Sequence, residues 1–320
     1  MIKKLIKSPQ HNQIWIIGAG NMALEYAKIL DYLKIKHSII IRNKNKASNF
    51  QFLKNSKIIF GDLNFALQTL PSPKYSIVCT NVTNLFLTTK TLLEKRVENL
   101  LIEKPGLLTL EHIKIINKLI SENKSNVFYA FNRRYIPSVL ELMSRVSKNG
   151  GILALHAELS ERWNLIPKDS KEKEELEKWG ISNSIHIIDL IQLIAGEIKK
   201  ITPYRNKGLP LHPSGSQFVF SGETVNNAML SGIASWGSGG GWSIDAFSKD
   251  YKLSLNPIET LHLTDNKTFK RSIIVSNKTQ MFKLGLKPML EDFLNFNFNH
   301  LCSLDQLKKN IIFANKLFGY

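Results

Sequence analysis

The stretch Gln13-Ile-Trp-Ile-Ile-Gly-Ala-Gly-Asn-Met-Ala23 constrains the chain more than any other. A short apolar run, Ile14 to Ile17, ends in Gly18-Ala19-Gly20. Beyond it, Met22, Tyr26, Ile29, Leu30 and Leu33 recur at spacings of about three and four, the pattern of an amphipathic helix. Strand, tight glycine turn and helix follow in that order, an arrangement suited to a dinucleotide pyrophosphate. Gly18 permits the turn, Gly20 lets the backbone approach the phosphates, and the helix N-terminus offers free N–H groups and a partial positive charge. Ala23 stands where a third glycine is usual and still allows close helix–strand packing. Gly18, Gly20, Asn21 and Met22 are therefore the expected pyrophosphate cradle.

The residues that follow repeat the alternation. Lys36 to Arg42 reads as a second strand, and its end lies about 20 residues past the glycines, where a dinucleotide fold meets the adenosine ribose. An acid there would accept from a ribose 2′-hydroxyl. The chain instead has Arg42-Asn43-Lys44-Asn45-Lys46, whose basic groups suit a 2′-phosphate, so NADP is favoured over NAD. An ordinary exposed basic loop is the competing reading. Lys57–Phe60 and Tyr75–Thr80 are further strands, the second ending at Thr80-Asn81, where polar groups line such a crevice. Leu85–Lys95 reads as a helix, Glu98 to Glu103 as a strand, Leu110–Ile120 as a helix and Asn126–Phe131 as a sixth strand. Strands alternating with helices predict a doubly wound α/β sheet with right-handed crossovers.

From residue 132 the pattern changes. Gly151–Ser160 alternates like a strand and leads into Glu161-Arg162-Trp163; the charged stretch 168–178 reads as a mobile loop, a lid or an exposed excursion. Ser182–Ala195 is an apolar helix stopped by Gly196. The runs 217–220, 228–236, 242–248 and 252–255 are strand-like and separated by turns. Ser238-Gly-Gly-Gly241 reads as a hairpin turn rather than a phosphate loop, since no helix follows it. Helical patterns at 287–296 and 304–317 end the chain. The division expected is a dinucleotide-binding domain at 1–131 and an α+β domain with an open, mainly antiparallel sheet at 132–320, its terminal helix free to pack back on the first domain.

Composition narrows the classes. The 320 residues include only two cysteines, Cys79 and Cys302, so a disulfide framework is not expected. No apolar run reaches the roughly 18 residues that span a bilayer. The start, Met-Ile-Lys-Lys-Leu-Ile-Lys-Ser-Pro, has charge but no apolar core or cleavage signal after it, which points to a cytoplasmic protein without a membrane partner. The 43 Lys and Arg against 26 Asp and Glu give a net charge of +17, but the bases are dispersed and no nucleic-acid motif accompanies them. A lysine-rich surface, a phosphorylated cofactor and an anionic substrate account for that charge better than DNA or RNA. The eight histidines show no metal-ligand spacing, and no metal is expected.

Three blocks then occur in sequence: Glu103-Lys104-Pro105 after the glycine turn, Ala130-Phe-Asn-Arg-Arg-Tyr-Ile-Pro137, and Ile185-His-Ile-Ile-Asp-Leu190. In order and approximate spacing they resemble the glucose–fructose oxidoreductase / inositol dehydrogenase / MocA-like family over nearly the whole chain. The resemblance implies a Rossmann domain followed by an open-sheet domain, an NAD(P) cofactor, and hydride transfer between nicotinamide and a sugar-like hydroxyl or carbonyl. It implies that Lys104 and His186 are the catalytic pair, with Glu103 near the cofactor and helping to position Lys104. Arg42, Asn43, Thr80 and Asn81 would meet the riboses, and Asn132, Arg133, Tyr135, Trp163, Ser182 and Asn183 would face the substrate. One arginine of the Arg133-Arg134 pair is expected in a structural ion pair. Asp189, one turn after His186, would either orient that ring or only support the helix. A homo-oligomer, dimer or tetramer, formed on the free sheet face is also implied. Many relatives carry an aspartate one turn before the histidine; here Ser182 occupies that position, and a hydroxyl is no anionic proton acceptor at neutral pH. A catalytically silent NAD(P)-binding sensor or partner subunit of the same fold is therefore the alternative.

Overall fold

The computed structural model describes residues 13–276 and 280–320; the lysine-rich start of the chain lies outside the described residues. The chain separates into two compact units. The first comprises residues up to Phe131 together with Met281–Asp305, and the second comprises Asn132–Gln280 with Gln306–Tyr320.

In the first unit β1 (Ile14–Ile17) leads to α1 (Asn21–Tyr32), β2 (His37–Ile41), β3 (Ser56–Phe60) and α2 (Leu63–Thr69). β4 (Tyr75–Val78), α3 (Val82–Glu94), β5 (Asn99–Glu103), α4 (Leu110–Asn123) and β6 (Asn126–Ala130) follow. The six strands form one parallel sheet in the order β3-β2-β1-β4-β5-β6. β1, β2, β4 and β5 are buried throughout, which is why they read as apolar runs rather than alternating ones. The chain reverses direction across the sheet between β1 and β4, and a crevice opens there at the strands' carboxyl ends. The β6 edge is covered where the Tyr129 N–H donates to the Cys302 carbonyl at 2.9 Å.

The second unit begins with α5 (Pro137–Lys148) and β7 (Ala154–Leu159). Two short helices, α6 (Lys173–Glu177) and α7 (Trp179–Ser182), precede the apolar α8 (Ile185–Ala195). Seven strands follow: β8 (Ile198–Asn206), β9 (Gln217–Thr224), β10 (Met229–Ser235), β11 (Trp242–Phe247), β12 (Tyr251–Leu255), β13 (Leu261–Asp265) and β14 (Arg271–Val275). The sheet order is β14-β13-β12-β11-β7-β10-β9-β8, antiparallel except where β10 runs parallel to β7. Two helices close the chain: α9 (Leu286–Leu294), in the first unit, and α10 (Leu304–Phe318), mostly in the second.

The structure corrects four expectations. The second unit does not run unbroken from 132 to 320, because 281–305 clusters with the first: α9 buries Leu286, Met289, Leu290, Phe293 and Leu294, and Phe293 meets Tyr75 edge-on at 6.0 Å. Ser238–Gly241 is not a hairpin turn, since β7 lies between the two strands it joins. Gly240 is instead pressed against β7, where a Cβ would stand 2.1 Å from a Glu158 carboxylate oxygen. The stretch 168–178 is largely helical, and His212 Nε2 pins the end of α6 by bonding the Leu176 and Glu177 carbonyls. Finally, Ser182–Ala195 is not one helix: the chain breaks at Asn183 (φ −127°, ψ −57°) between α7 and α8.

Candidate functional site

Each unit carries part of the residue set expected from the sequence. In the first, a cleft of about 410 Å³ lies at the carboxyl ends of β1, β2 and β4. Gly18, Ala19 and Gly20 form one wall, Arg42, Asn43 and Lys46 another, and Thr80 and Asn81 a third. Gly18 has φ +126°, and a Cβ there would lie 2.3 Å from the Cys79 carbonyl oxygen, so only glycine fits. Gly20 has no heavy atom within 4 Å of a Cβ position and caps α1 with no side-chain bond, leaving the helix's first N–H groups open to the cleft. Arg42 and Lys46 are exposed and form no salt bridge among the described residues. Asn43 Oδ1 accepts from the Asn45 N–H at 2.9 Å, so its side chain is already engaged in ordering the basic loop. The Thr80 hydroxyl is buried without a hydrogen-bond partner among the described residues. The acid in the cleft, Asp62, spends its carboxylate on the Phe65 N–H at the start of α2.

These features fit a dinucleotide: a glycine cradle, open helix N–H groups, an unmatched hydroxyl and two unpaired cations near the β2 end. Glu103, expected among the cofactor contacts, is turned into the core instead. Its carboxylate accepts from the Tyr26 hydroxyl at 2.7 Å, and also from the Lys104 backbone N–H. Burial pushes this carboxyl above its ordinary range, against the opposing pull of the Tyr26 bond, Lys283 and Lys104. Burial likewise pushes the Cys79 thiol and the Tyr26 hydroxyl well up, which leaves both protonated at neutral pH. Lys104 is half-buried at the end of β5, before a turn closed by the Gly106 N–H to the Glu103 carbonyl.

In the second unit the expected residues converge on one side chain that sequence reasoning missed, Trp242 at the start of β11. The Arg133 guanidinium lies 4.8 Å from the Trp242 ring centroid and pairs with Glu259 at 2.9 Å. The His186 ring, in the first turn of α8 and 7% exposed, is 6.1 Å from the Trp242 ring. Trp242 Nε1 donates to Glu161 Oε1 at 3.2 Å. That buried carboxylate also accepts from Asn183 Nδ2, 3.0 Å from each oxygen, and from Ser184 Oγ at 2.9 Å. Glu161 thus holds the break between α7 and α8 and sets where His186 begins its helix. The signal in sequence is faint: an acid just past a strand, 22 residues before the asparagine it binds.

Two further placements differ from expectation, and a third decides which arginine is structural. Trp163 does not face an open site. It is stacked on Trp236 at 5.6 Å and edge-on to Trp179, 4% exposed, because an apolar cluster claims its ring. Ser182 is buried at the end of α7, not on the helix of His186. Arg134 is the structural arginine: its Nε and Nη2 grip both oxygens of Asp189 at 2.7 and 2.6 Å, and Asn310 Nδ2 adds a third donor at 2.8 Å. The Asp189 charge is therefore matched by Arg134 rather than held for His186. Tyr135 is buried, and Asn132 half-buried, in the same short turn. Among the described residues no cluster of His, Cys, Asp and Glu could hold a metal ion, and no helix is long and apolar enough to cross a membrane.

Neither a family model nor a curated protein matches the chain. Solved structures do. UDP-N-acetylglucosamine 3-dehydrogenase GnnA from Acidithiobacillus ferrooxidans is 17% identical with a TM-score of 0.75, over 95% of this chain and 96% of that one. An oxidoreductase from Agrobacterium radiobacter, in complex with NAD+, L-tartaric acid and magnesium, is 12% identical with a TM-score of 0.78, over 97% and 96%. The transcriptional regulator Gal80p from Kluyveromyces lactis is 13% identical with a TM-score of 0.80, over 98% and 89%. At these identities the likeness establishes the fold, a Rossmann-type parallel sheet unit and a mainly antiparallel open-sheet unit, as the resemblance in sequence implied.

Proposed function

We propose that this chain is an NAD(P)-dependent oxidoreductase that moves a hydride between the nicotinamide and a sugar-like hydroxyl or carbonyl. The glycine cradle carries the reading: Gly18 fits only glycine, Gly20 leaves the backbone open, and both line a cleft with unpaired cations. Arg42 and Lys46 support NADP over NAD, since both remain available to a 2′-phosphate. A bound nicotinamide would accept or deliver the hydride; the chain's own residues handle binding and the proton. Lys104 and His186 are the groups assigned to that proton: an alcohol losing hydride must also lose its hydroxyl proton to a base, and a carbonyl gaining hydride must receive one from an acid. Arg133, laid on Trp242 and half-exposed, supports an anionic or nucleotide-linked sugar, as does the basic surface. The named activity of GnnA supports that substrate class.

The test is Lys104→Ala. It should abolish turnover, at least about a hundredfold, with NADPH affinity nearly intact. A second reading, a catalytically silent NAD(P)-binding sensor, is favoured by Ser182 in place of an acid and by the shared fold of Gal80p. Under that reading NADPH binds but no sugar is turned over, by wild type or variant. The proposal includes a homo-oligomer built on the free face of the second sheet, where Tyr204, Val219 and Ile233 stand side by side on neighbouring strands.

A further inference from the structure

A cation from the far end of the chain stands beside the glycine turn. Lys283 Nζ lies 3.1 Å from Met22 Sδ, and both residues belong to the first unit. Met22 is the second residue of α1, whose N-cap is Gly20, so the ammonium touches a side chain carried by the helix's first turn, where N–H groups lack carbonyl partners. The same charge reaches the buried Glu103 carboxylate and lowers its pKa against the effect of burial. Lys283 is exposed and joins no salt bridge among the described residues. A thioether is a weak acceptor, so the contact with Met22 holds the ammonium in place while leaving its donors for something stronger.

The lysine is delivered by local packing. Phe282 meets Tyr32, at the other end of α1, edge-on at 5.3 Å, while Lys283 reaches the first turn. The Lys283 carbonyl accepts from the Leu286 N–H, and Gly285, in the left-handed region at φ +74°, turns the chain into α9. α9 then packs along α1. We propose that Lys283 is a cofactor-binding residue whose ammonium donates to the pyrophosphate of a dinucleotide held on the glycine turn. This rests on the reading of the first unit as a dinucleotide site. The α1 N-terminus supplies oriented N–H groups and a partial charge, and Lys283 adds a full charge within reach of the same anion.

The experiment is calorimetric titration of the full chain and its Lys283→Ala and Lys283→Arg variants with NADPH, NADH, ADP-ribose and adenosine 2′-monophosphate. ADP-ribose keeps the pyrophosphate without the nicotinamide, and adenosine 2′-monophosphate lacks the pyrophosphate. Lys283→Ala should weaken NADPH, NADH and ADP-ribose alike, by about tenfold, and leave adenosine 2′-monophosphate unchanged; Lys283→Arg should restore most of the affinity. Unchanged ADP-ribose affinity in Lys283→Ala overturns the assignment. So does a loss seen with NADPH and NADH but not ADP-ribose, which would move the contact to the nicotinamide half. Wild-type protein that is folded yet binds none of the four sinks the dinucleotide reading itself, a different failure. As an exposed side chain, Lys283 can be replaced without loss of the fold, which thermal melts verify.

Discussion

Two glycines separated by one residue serve different ends, and substitution should separate them. Gly18 has a backbone open to few residues but glycine and no room for a Cβ, so Gly18→Ala should destabilise the fold by at least about 2 kcal/mol in denaturant unfolding. Gly20→Ala meets no atom and should cost no more than about 1 kcal/mol of stability. Its effect should appear instead as lost NADPH affinity, since the added methyl stands where a phosphate would approach the backbone. Equal affinity of Gly20→Ala and wild type would remove the cradle from that turn. Glu103 shows a second kind of residue-scale control. Its folded pKa is raised by burial, so the folded state holds this proton longer than the unfolded chain does. The associated stability is present at low pH and is lost as pH rises through the folded value. Glu103→Gln, which keeps an acceptor for Tyr26, should therefore gain in Tm relative to wild type as pH rises above the ordinary carboxylate range. A difference that stays constant as pH rises would show that the ionisation of Glu103 does not differ between the two states. The glycines were legible in sequence because their constraint is local. The orientation of Glu103 was not, because Tyr26, which takes its carboxylate, lies 77 residues away.

At the scale of elements, two buried carboxylates set the geometry around His186. Asp189 joins α8 to the short turn of Arg134 and, through Asn310, to α10. Arg134 and Asp189 are 3% and 1% exposed, so Asp189→Ala would strand a buried guanidinium and should cost about 3–5 kcal/mol. Thermal unfolding at neutral pH checks this, and a loss below about 1 kcal/mol would mean that water reaches Arg134. Glu161 performs the other fastening, at the break between α7 and α8. The apolar periodicity of residues 182–195 reads as one helix because periodicity reports burial, not continuity. Asn183 and Ser184 turn their side chains to Glu161, and such residues readily divert a chain from helix by bonding outside it. The tryptophans show the same limit. Trp163 and Trp242 are equal candidates by residue type, and only packing decides that the first fills an aromatic core while the second carries Arg133 and neighbours His186.

At the scale of the whole molecule, the exposed face of the second sheet bears on assembly. Tyr204, Val219 and Ile233 are cross-strand neighbours and remain 66%, 42% and 37% exposed. Met229 and Phe247 add further exposed apolar surface to the same sheet. An uncovered row of this kind is a favourable surface for a second copy of the chain. Sedimentation should show an oligomer that Val219→Lys with Ile233→Lys converts to monomer without altering NADPH binding; a monomeric wild type would sink that expectation. The net charge of +17 predicts nothing about fold, but it should make association with anionic ligands weaken as salt is added.

By itself the sequence determined the six strands of the first unit, but not α2 or the return of α9 to it. Each βα step there is local, buried parallel strands read as apolar runs, and right-handed crossovers leave few orders for them; the observed order lays Gly18, Gly20, Arg42, Asn43, Thr80 and Asn81 along one cleft. It also indicated a mainly antiparallel second half, while missing β8, β13 and β14. β8 and β14 are edge strands with charged, exposed residues, and β8 carries Pro203 where a central strand could not. Tertiary structure alone decided the rest. That β10 joins β7 in parallel, that residues 281–305 return to the first unit, and that Lys283 meets Met22 across 261 positions are outcomes of long-range packing. No local pattern encodes which distant side chain will be nearest. Periodicity tells a residue which way to face, and only the folded chain tells it what it faces.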